Sequence, residues 1–504
     1  MEDGGSSAPP IFQKTVPLPL QVHSWFLAKF QQGEGRGVGG ERPRFQPHAA
    51  RGPVMMGLYR LASRAAANPL LRRMLRNSGY LLSANGLATA GSMLQGALAA
   101  RLIGVQGLGI IGLVTDFATN VNRLTSFRMG QLVVRYVGEY GAADDEERAA
   151  AAFKAAGLIE IASSLVAVAL IVLLAPLAAT VLAHDPDATP LFMLYGVAIL
   201  ANLMNESATG LLQLNDRFGV LARITVGQSL LTLVLMVLAF ASGGGLTEVV
   251  LVYTLGKAAG AVATTALALV EARRRWGAGW WRARLPSLAS RWREMARFAT
   301  STNLATTITL VTRDSELLWL GLLSDPVQVG YYKIARALAG IVALPVEPMI
   351  STTYRETAVE VGHRRWPNVR YLLRSGSLLG GAWSLAAVFG LAVFGPWIIR
   401  LVYTAEFLPS YPVLVVLLIG AASVNTFYWN RSLLLLLGMP HYPNWVHGIA
   451  GALKILGSIL WVPAGGAIAM AGLLSSYFVV TTGVLVRKSM QVLGRAQTAP
   501  AGDG

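Results

Sequence analysis

Three bases stand in apolar surroundings where a charge needs an explanation. Lys257 and Lys454 lie near the middle of long apolar stretches with no acid close in sequence. Arg313 is left over once its neighbours Asp314 and Glu316 are assigned to other bases. A base held away from water requires an anion, so these bases are candidates for binding an anionic ligand through charge-assisted hydrogen bonds. Arg123 is a fourth base of this kind, although Asp116 stands two turns away on its face.

These bases sit within polar stripes. One runs Asp116, Thr119, Asn120, Arg123; a second runs Thr302, Thr306, Thr309, Arg313, Glu316. A third runs Asn202, Glu206, Thr209, Gln213, and a fourth Asn85, Thr89, Ser92. Helical side chains three and four apart share a face, so each stripe can line a hydrated lumen. There Asn120, Asn202, Thr302, Thr306 and Thr309 offer neutral hydrogen-bond partners. Asp116, Glu206 and Glu347 could carry coupling protons. Glu347 is flanked by Pro345 and Pro348, which disrupt helix hydrogen bonds and can expose a carboxylate; a plain helix end is its other reading.

Structural readings stand beside the functional ones. If residues around 300–350 form a hairpin turning near Asp325, Glu316 and Lys333 lie at matching depth, as do Asp314 and Arg336. Two buried ion pairs would follow. Arg128 and Arg431 lie near one membrane face, where long side chains snorkel. Catalytic and cofactor chemistry have little to start from. There is no Cys, six His are scattered, and no Walker-type run offers an ATP site. No metal, cofactor or catalytic residue is expected.

The elements that hold these residues must be membrane helices. Of 504 residues, 54% are hydrophobic and 13% charged, and the mean hydropathy is +0.51. Soluble chains carry roughly 25% charged residues. A bilayer core of roughly 30 Å takes about 20 apolar helical residues. That window finds twelve spans: 79–103, 108–133, 153–181, 191–212, 220–241, 247–270, 298–322, 328–350, 371–395, 411–436, 445–462 and 466–486. The sequence thus predicts an all-α integral membrane protein.

The net charge of +16 is distributed by side. Arg60, Arg64, Arg72, Arg73, Arg76, Arg217, Arg273, Arg274, Arg275, Arg355, Arg364, Arg365, Arg370, Arg487 and Lys488 all fall on one side, whereas Arg101 and Arg400 are alone on the other. The positive-inside rule places both termini in the cytoplasm and leaves no need for a nucleic-acid partner.

Residues 1–54 read as a disordered extension, with a true start expected near Met55. The first lobe runs 55–270, a basic Trp/Arg interfacial linker 271–297, the second lobe 298–490 and a disordered tail 491–504. The linker lies in the headgroup layer, as a plain connector or as a dock for phospholipid or a partner. Asn85-Gly86-Leu87-Ala88-Thr89 is echoed by Asn303-Leu304-Ala305-Thr306-Thr307. Six spans in each half with the same orientation imply repeats about an axis along the membrane normal.

Several patterns then carry a resemblance. Ala100-Arg101-Leu102-Ile103-Gly104, Gly107-Leu108-Gly109, Gly130-Gln131 and Val134-Arg135-Tyr136 resemble the opening of bacterial O-antigen-type polysaccharide flippases. Asp314, Gly330-Tyr331-Tyr332 and Ala335 resemble their seventh and eighth spans. The similarity covers most of 77–487, and the usual Pro-x-x-Tyr-Gly reads Val105-Gln106-Gly107-Leu108-Gly109 here. These flippases belong to the multidrug/oligosaccharidyl-lipid/polysaccharide transporter superfamily.

The resemblance implies two six-helix lobes related by a pseudo-two-fold, forming a V around a cationic lumen. It implies transfer of polyprenyl-pyrophosphate-linked oligosaccharide across the inner membrane, with exchange against protons or other cations. Arg313, Lys454, Lys257 and Arg123 would then hold the pyrophosphate, and Asn120, Asn202, Thr302, Thr306 and Thr309 would face the sugar. Membrane lipids and polysaccharide polymerase or export proteins are the implied partners. A multidrug exporter of the same superfamily, a lipid II flippase and a membrane glycan polymerase or transferase are the alternatives.

Overall fold

The computed structural model describes residues 69–498, with side chains described for 86–497 except 305. The extension 1–54, the expected start at Met55 and the side chains of Asn85, Arg60, Arg64, Arg72, Arg73 and Arg76 lie outside them. Among the described residues every regular element is helical.

The first half contains α1 (Pro69–Thr125), α2 (Met129–Leu132), α3 (Gly138–Ala142), α4 (Glu146–Val181), α5 (Thr189–Ala201), α6 (Asn205–Leu214), α7 (Phe218–Ala241) and α8 (Leu246–Trp276). The second contains α9 (Trp292–Thr309), α10 (Glu316–Leu323), α11 (Pro326–Gly340), α12 (Glu347–Gly362), α13 (Trp366–Val402), α14 (Ser410–Thr426), α15 (Asn430–Leu436) and α16 (His441–Thr498). Two boundaries differ from the sequence reading. The linker is shorter, spanning 277–291, because α8 continues through its Arg run and α9 begins at Trp292. The last helix also continues to Thr498, inside the expected tail.

The twelve hydropathy windows fall largely on helix, with breaks at 126–128, 202–204, 315, 344–346 and 427–429. Among the described residues, eight helices can cross a membrane by length and composition, or nine if the pair Pro326–Ala343 and Glu347–Gly362, bent by 41°, counts as one. The difference from twelve has a physical origin. The helices α1 and α16 each carry two windows and turn at Gly104 (φ 67°) and Gly466 (φ 50°) without ending. Residues 298–322 are interrupted at Ser315 and do not qualify.

Large apolar side chains point outward, including Leu173, Leu385, Phe389 and Trp445, each at least 70% exposed. The buried faces carry small residues such as Ala149, Ala151, Ala152, Ala156 and Ala179. Lipid as solvent explains the inversion, since helices in membranes gain by close approach rather than by hiding apolar bulk.

Helix pairing repeats between the halves. In the first, α4 packs on α5 and α5 on α8; in the second, α13 packs on α14 and α14 on α16. The halves meet where α11 crosses the second arm of α1. That crossing needs two glycines. A Cβ on Gly109 would collide with the Pro326 carbonyl, and one on Gly330 with the Val105 carbonyl. The two backbones thus touch reciprocally, each through the other's glycine.

Candidate functional site

The crossing of α1 and α11 places most of the buried charge in one cluster. Glu316 opens α10 and is fully buried. Its Oε1 accepts from Lys454 Nζ at 2.5 Å and its Oε2 from Arg336 Nη1 at 3.4 Å. Beside it, Asp314 Oδ2 accepts from Arg123 Nη1 at 3.3 Å, and Oδ1 lies 4.0 Å from Arg313 Nε. One bond of this group therefore joins the two halves, since Arg123 is in the first and Asp314 in the second.

Lys333 and Asp116 complete the cluster. The absent side chain of Gly112 leaves room for the Lys333 stem to lie across α1. Asp116 stands in the field of Arg336, Lys333 and Arg123, yet its Oδ2 is buried with no hydrogen-bond partner among the described residues. Lys257 adds a further base near Arg123, with its ammonium 5.9 Å from the Tyr195 ring. Arg313 lies 5.4 Å over the Phe478 ring.

The balance of charge is uneven. Arg123, Arg313, Lys333, Arg336 and Lys454 face Asp116, Asp314 and Glu316. Five bases meet three carboxylates, before Lys257 is counted. Arg123, Arg313 and Arg336 keep side-chain exposures of 42%, 53% and 41%. These three guanidinium side chains are thus partly exposed, whereas Glu316 and Lys454 are sealed from solvent.

Several expectations are corrected. The pairs Glu316–Lys333 and Asp314–Arg336 do not form; Glu316 takes Arg336 and Lys454, and Asp314 takes Arg123 and Arg313. Lys454 is not an unpaired base, because Glu316 neutralises it inside the second half. The cause is local. Residues Leu310–Asp314 form a π-helical turn and Ser315 leaves the helical region (φ −108°, ψ 17°). A wider turn rotates everything after it, so Glu316 swings inward while Arg313 stays on the open face. The stripe from Thr302 to Glu316 is thereby split.

The neutral residues are less free than their spacing implies. Thr302 Oγ1 donates to the Phe298 carbonyl, and Thr306 Oγ1 donates to the Thr302 carbonyl while accepting from Arg128 Nε. Thr309 is also engaged. Asn120 is buried. Asn202 follows the end of α5, where the span breaks before α6, so it shares no helical face with Glu206. Glu206 is an ion-pair partner, 3.8 Å from Arg128, rather than a free acid. Arg128 itself points inward to Glu206 and Thr306 instead of snorkelling. Glu347 is exposed at the first residue of α12, as a helix end.

Glu160 was not among the sequence candidates. Its Oε1 accepts from the Glu206 amide at 2.7 Å, and its Oε2 from the Ser207 amide at 2.8 Å and hydroxyl at 2.6 Å. The break before α6 exposes the first N–H groups of that helix, and a buried carboxylate satisfies them. Its signal was legible: a lone acid in the apolar run Leu158-Ile159-Glu160-Ile161-Ala162. Glu160→Ala is expected to cost roughly 3 kcal/mol, since each orphaned buried donor costs about 1–3 kcal/mol. Glu160→Gln, which keeps one acceptor oxygen, should cost less. Thermal unfolding of the purified protein reads this out, and equal melting of wild type and Glu160→Ala would refute the role.

At the basic end, the linker is pinned to the first half. Arg291 donates to Glu139 at 2.6 Å and to Glu294 at 3.0 Å, and Arg135 donates to Glu294 at 3.2 Å. These bonds, Arg291 first, hold the Glu294 carboxyl below its ordinary range.

Similarity to known proteins follows this geometry. Residues 74–354, more than half of the chain, match the family described as "Polysaccharide biosynthesis protein". The chain belongs to that family. Within the polysaccharide biosynthesis match lie Arg123, Arg313, Lys333, Arg336 and the three carboxylates, whereas Lys454 lies beyond it. The inner membrane protein YghQ of Escherichia coli K12 is 23% identical over 345 residues, 68% of this chain and 96% of that protein. An inward-facing multidrug resistance MATE transporter of the MOP superfamily aligns with a TM-score of 0.62 at 15% identity, covering 82% of this chain and 96% of that one. The lipid II flippase MurJ, inward closed, aligns at 0.63 and 12% identity, covering 83% and 90%. This family member is a multi-pass membrane protein with the fold of those transporters.

Proposed function

We propose that this protein moves polyprenyl-pyrophosphate-linked oligosaccharide across the inner membrane for cell-surface polysaccharide biosynthesis. The observation that carries the reading is the excess of bases where the two halves cross. A pyrophosphate supplies the missing negative charge, and Arg123, Arg313 and Arg336 can each donate to it. Lys257 lies close enough to add to the same field. Lys454 holds Glu316 and shapes the site from behind. Twelve crossings, with both termini and the basic loops in the cytoplasm, complete the arrangement.

Alternating access would rock one half against the other, with an ion gradient as the driving force. Asp116, with its unpartnered buried oxygen, is the acid best placed to carry a coupling proton; Glu206 is spent on Arg128. A multidrug exporter shares the fold, but an organic cation gains nothing from a surplus of arginine. A glycan polymerase or transferase would want catalytic groups near 396–410. There Glu406 is instead turned onto the Val105 N–H at 3.4 Å. The test is transfer of a fluorescent polyprenyl-diphosphate oligosaccharide in proteoliposomes. Transport of an organic cation with no transfer of the lipid-linked sugar would overturn the reading.

Rocking must open a lock at the base-poor end. Arg101 Nε donates to the Val402 and Tyr403 carbonyls at 3.1 and 3.2 Å, and its Nη2 to the Leu401 carbonyl. A guanidinium there satisfies the last carbonyls of α13 and complements the negative end of its dipole. Because the chain has no Cys, a single Thr119→Cys on the α1 polar face provides one thiol. Adding Arg101→Ala should raise its labelling by an impermeant maleimide from outside severalfold. Unchanged labelling would remove Arg101 from the gate.

A further inference from the structure

The linker between the halves has no part in the cluster, yet it is built as a site. Trp276 and Trp280 lie against Phe153 with ring centroids at 5.7 and 5.4 Å, and Lys154 Nζ donates to the Ala283 carbonyl at 3.1 Å. Together with the Arg291 bonds, these contacts hold residues 280–294 against the start of α4. A cleft of about 200 Å³ separates the linker from α4, lined by Ala155, Leu158 and Ile159 on one wall and Leu285, Leu288 and Trp292 on the other. The lining is apolar throughout.

Exposed bases adjoin its lining residues in sequence. Arg284 and Arg293 are the chain neighbours of Leu285 and Trp292. These two, with Arg282 and Arg297, have no carboxylate partner among the described residues, whereas Arg135, Arg275 and Arg291 do. Arg282 only covers the Trp281 ring, at 4.9 Å. Trp281 and Trp292 are 55% and 50% exposed. Residues 155–159 form the first turns of the third hydropathy span, on the basic side. At that level of a bilayer, headgroup phosphates lie just above the start of the acyl chains.

We propose that this cleft binds one anionic phospholipid, with an acyl chain between Leu158 and Leu285 and the phosphate on Arg284 and Arg293. Charge selects the occupant. A zwitterionic lipid would fill the cleft equally well but would leave the arginines unneutralised. The bound lipid would tie the linker to the membrane while the second half moves.

The experiment uses the full-length protein, delipidated in detergent and titrated with phosphatidylglycerol, phosphatidylcholine or inorganic phosphate, with native mass spectrometry as readout. Phosphatidylglycerol should bind at least tenfold tighter than phosphatidylcholine, and phosphate at equal concentration should not bind. Arg284→Gln with Arg293→Gln should erase the preference, and Leu158→Trp, which fills the cleft, should weaken both lipids. Equal binding of the two lipids by wild type would overturn the proposal, and this arm needs no variant to fold. A preference that survives all three substitutions would overturn it too, as would binding of phosphate alone. None of these outcomes depends on whether the protein transports glycan.

Discussion

Glu316→Ala is expected to remove most of the protein from the membrane. Glu316 is fully buried and is the shared acceptor of Lys454, whose side chain is 2% exposed, and of Arg336. Without it an ammonium is left in a low-dielectric interior with no counter-charge. Removing one partner of a buried pair costs about 3–5 kcal/mol. Total stabilities of about 5–15 kcal/mol leave little margin for that. Lys454→Ala should cost less, because Glu316 keeps Arg336. Glu316→Leu with Lys454→Met should recover much of the loss, since Arg336 at 41% exposure can turn to water. The readout is membrane abundance and melting by fluorescence-detected gel filtration. A Glu316→Ala protein as abundant and as stable as wild type would show that the pair carries no weight.

Arg123→Gln with Arg313→Gln should do the opposite, sparing the fold and stopping the function. Both side chains are about half exposed and converge on Asp314, itself 31% exposed, so neutralising them strands no buried charge. Each hydrogen bond to a charged group is worth about 1.5–3 kcal/mol, or roughly ten- to a hundredfold in affinity. Together the two changes should reduce surface polysaccharide below a tenth of normal at unchanged protein level. Normal polysaccharide in the double variant would take both residues off the site.

The sequence made the membrane helices legible because a bilayer-spanning window is a local property. Residues around Lys257, Leu173 and Phe389 are apolar for a reason that needs no tertiary knowledge. The alternation of Trp and Arg marked a linker over 271–297, but α8 continues to Trp276 and α9 begins at Trp292. What the chain concealed was partnership across distance. Lys454 meets Glu316 over 138 residues, and Arg123 meets Asp314 over 191. Counting depth from the hairpin at Asp325 assumed an unbroken helix. The π-helical turn at Leu310–Asp314 invalidates that assumption and reassigns both acids. Span four misled in the same way, because its break at 202–204 takes Asn202 off the face of Glu206. Glu160 is different: a single carboxylate in an apolar run was visible, and its cost in lipid should have marked it.

The most direct test of a cationic site between the halves is competition at equilibrium. Purified protein would be loaded with a labelled polyprenyl-diphosphate oligosaccharide and challenged with polyprenyl diphosphate, polyprenyl monophosphate or polyprenol. Diphosphate should compete best, monophosphate at least tenfold less well and polyprenol hardly at all, with Arg123→Gln plus Arg313→Gln flattening the series. Equal competition by all three lipids, or a series unchanged by the two substitutions, would contradict a pyrophosphate held by these arginines.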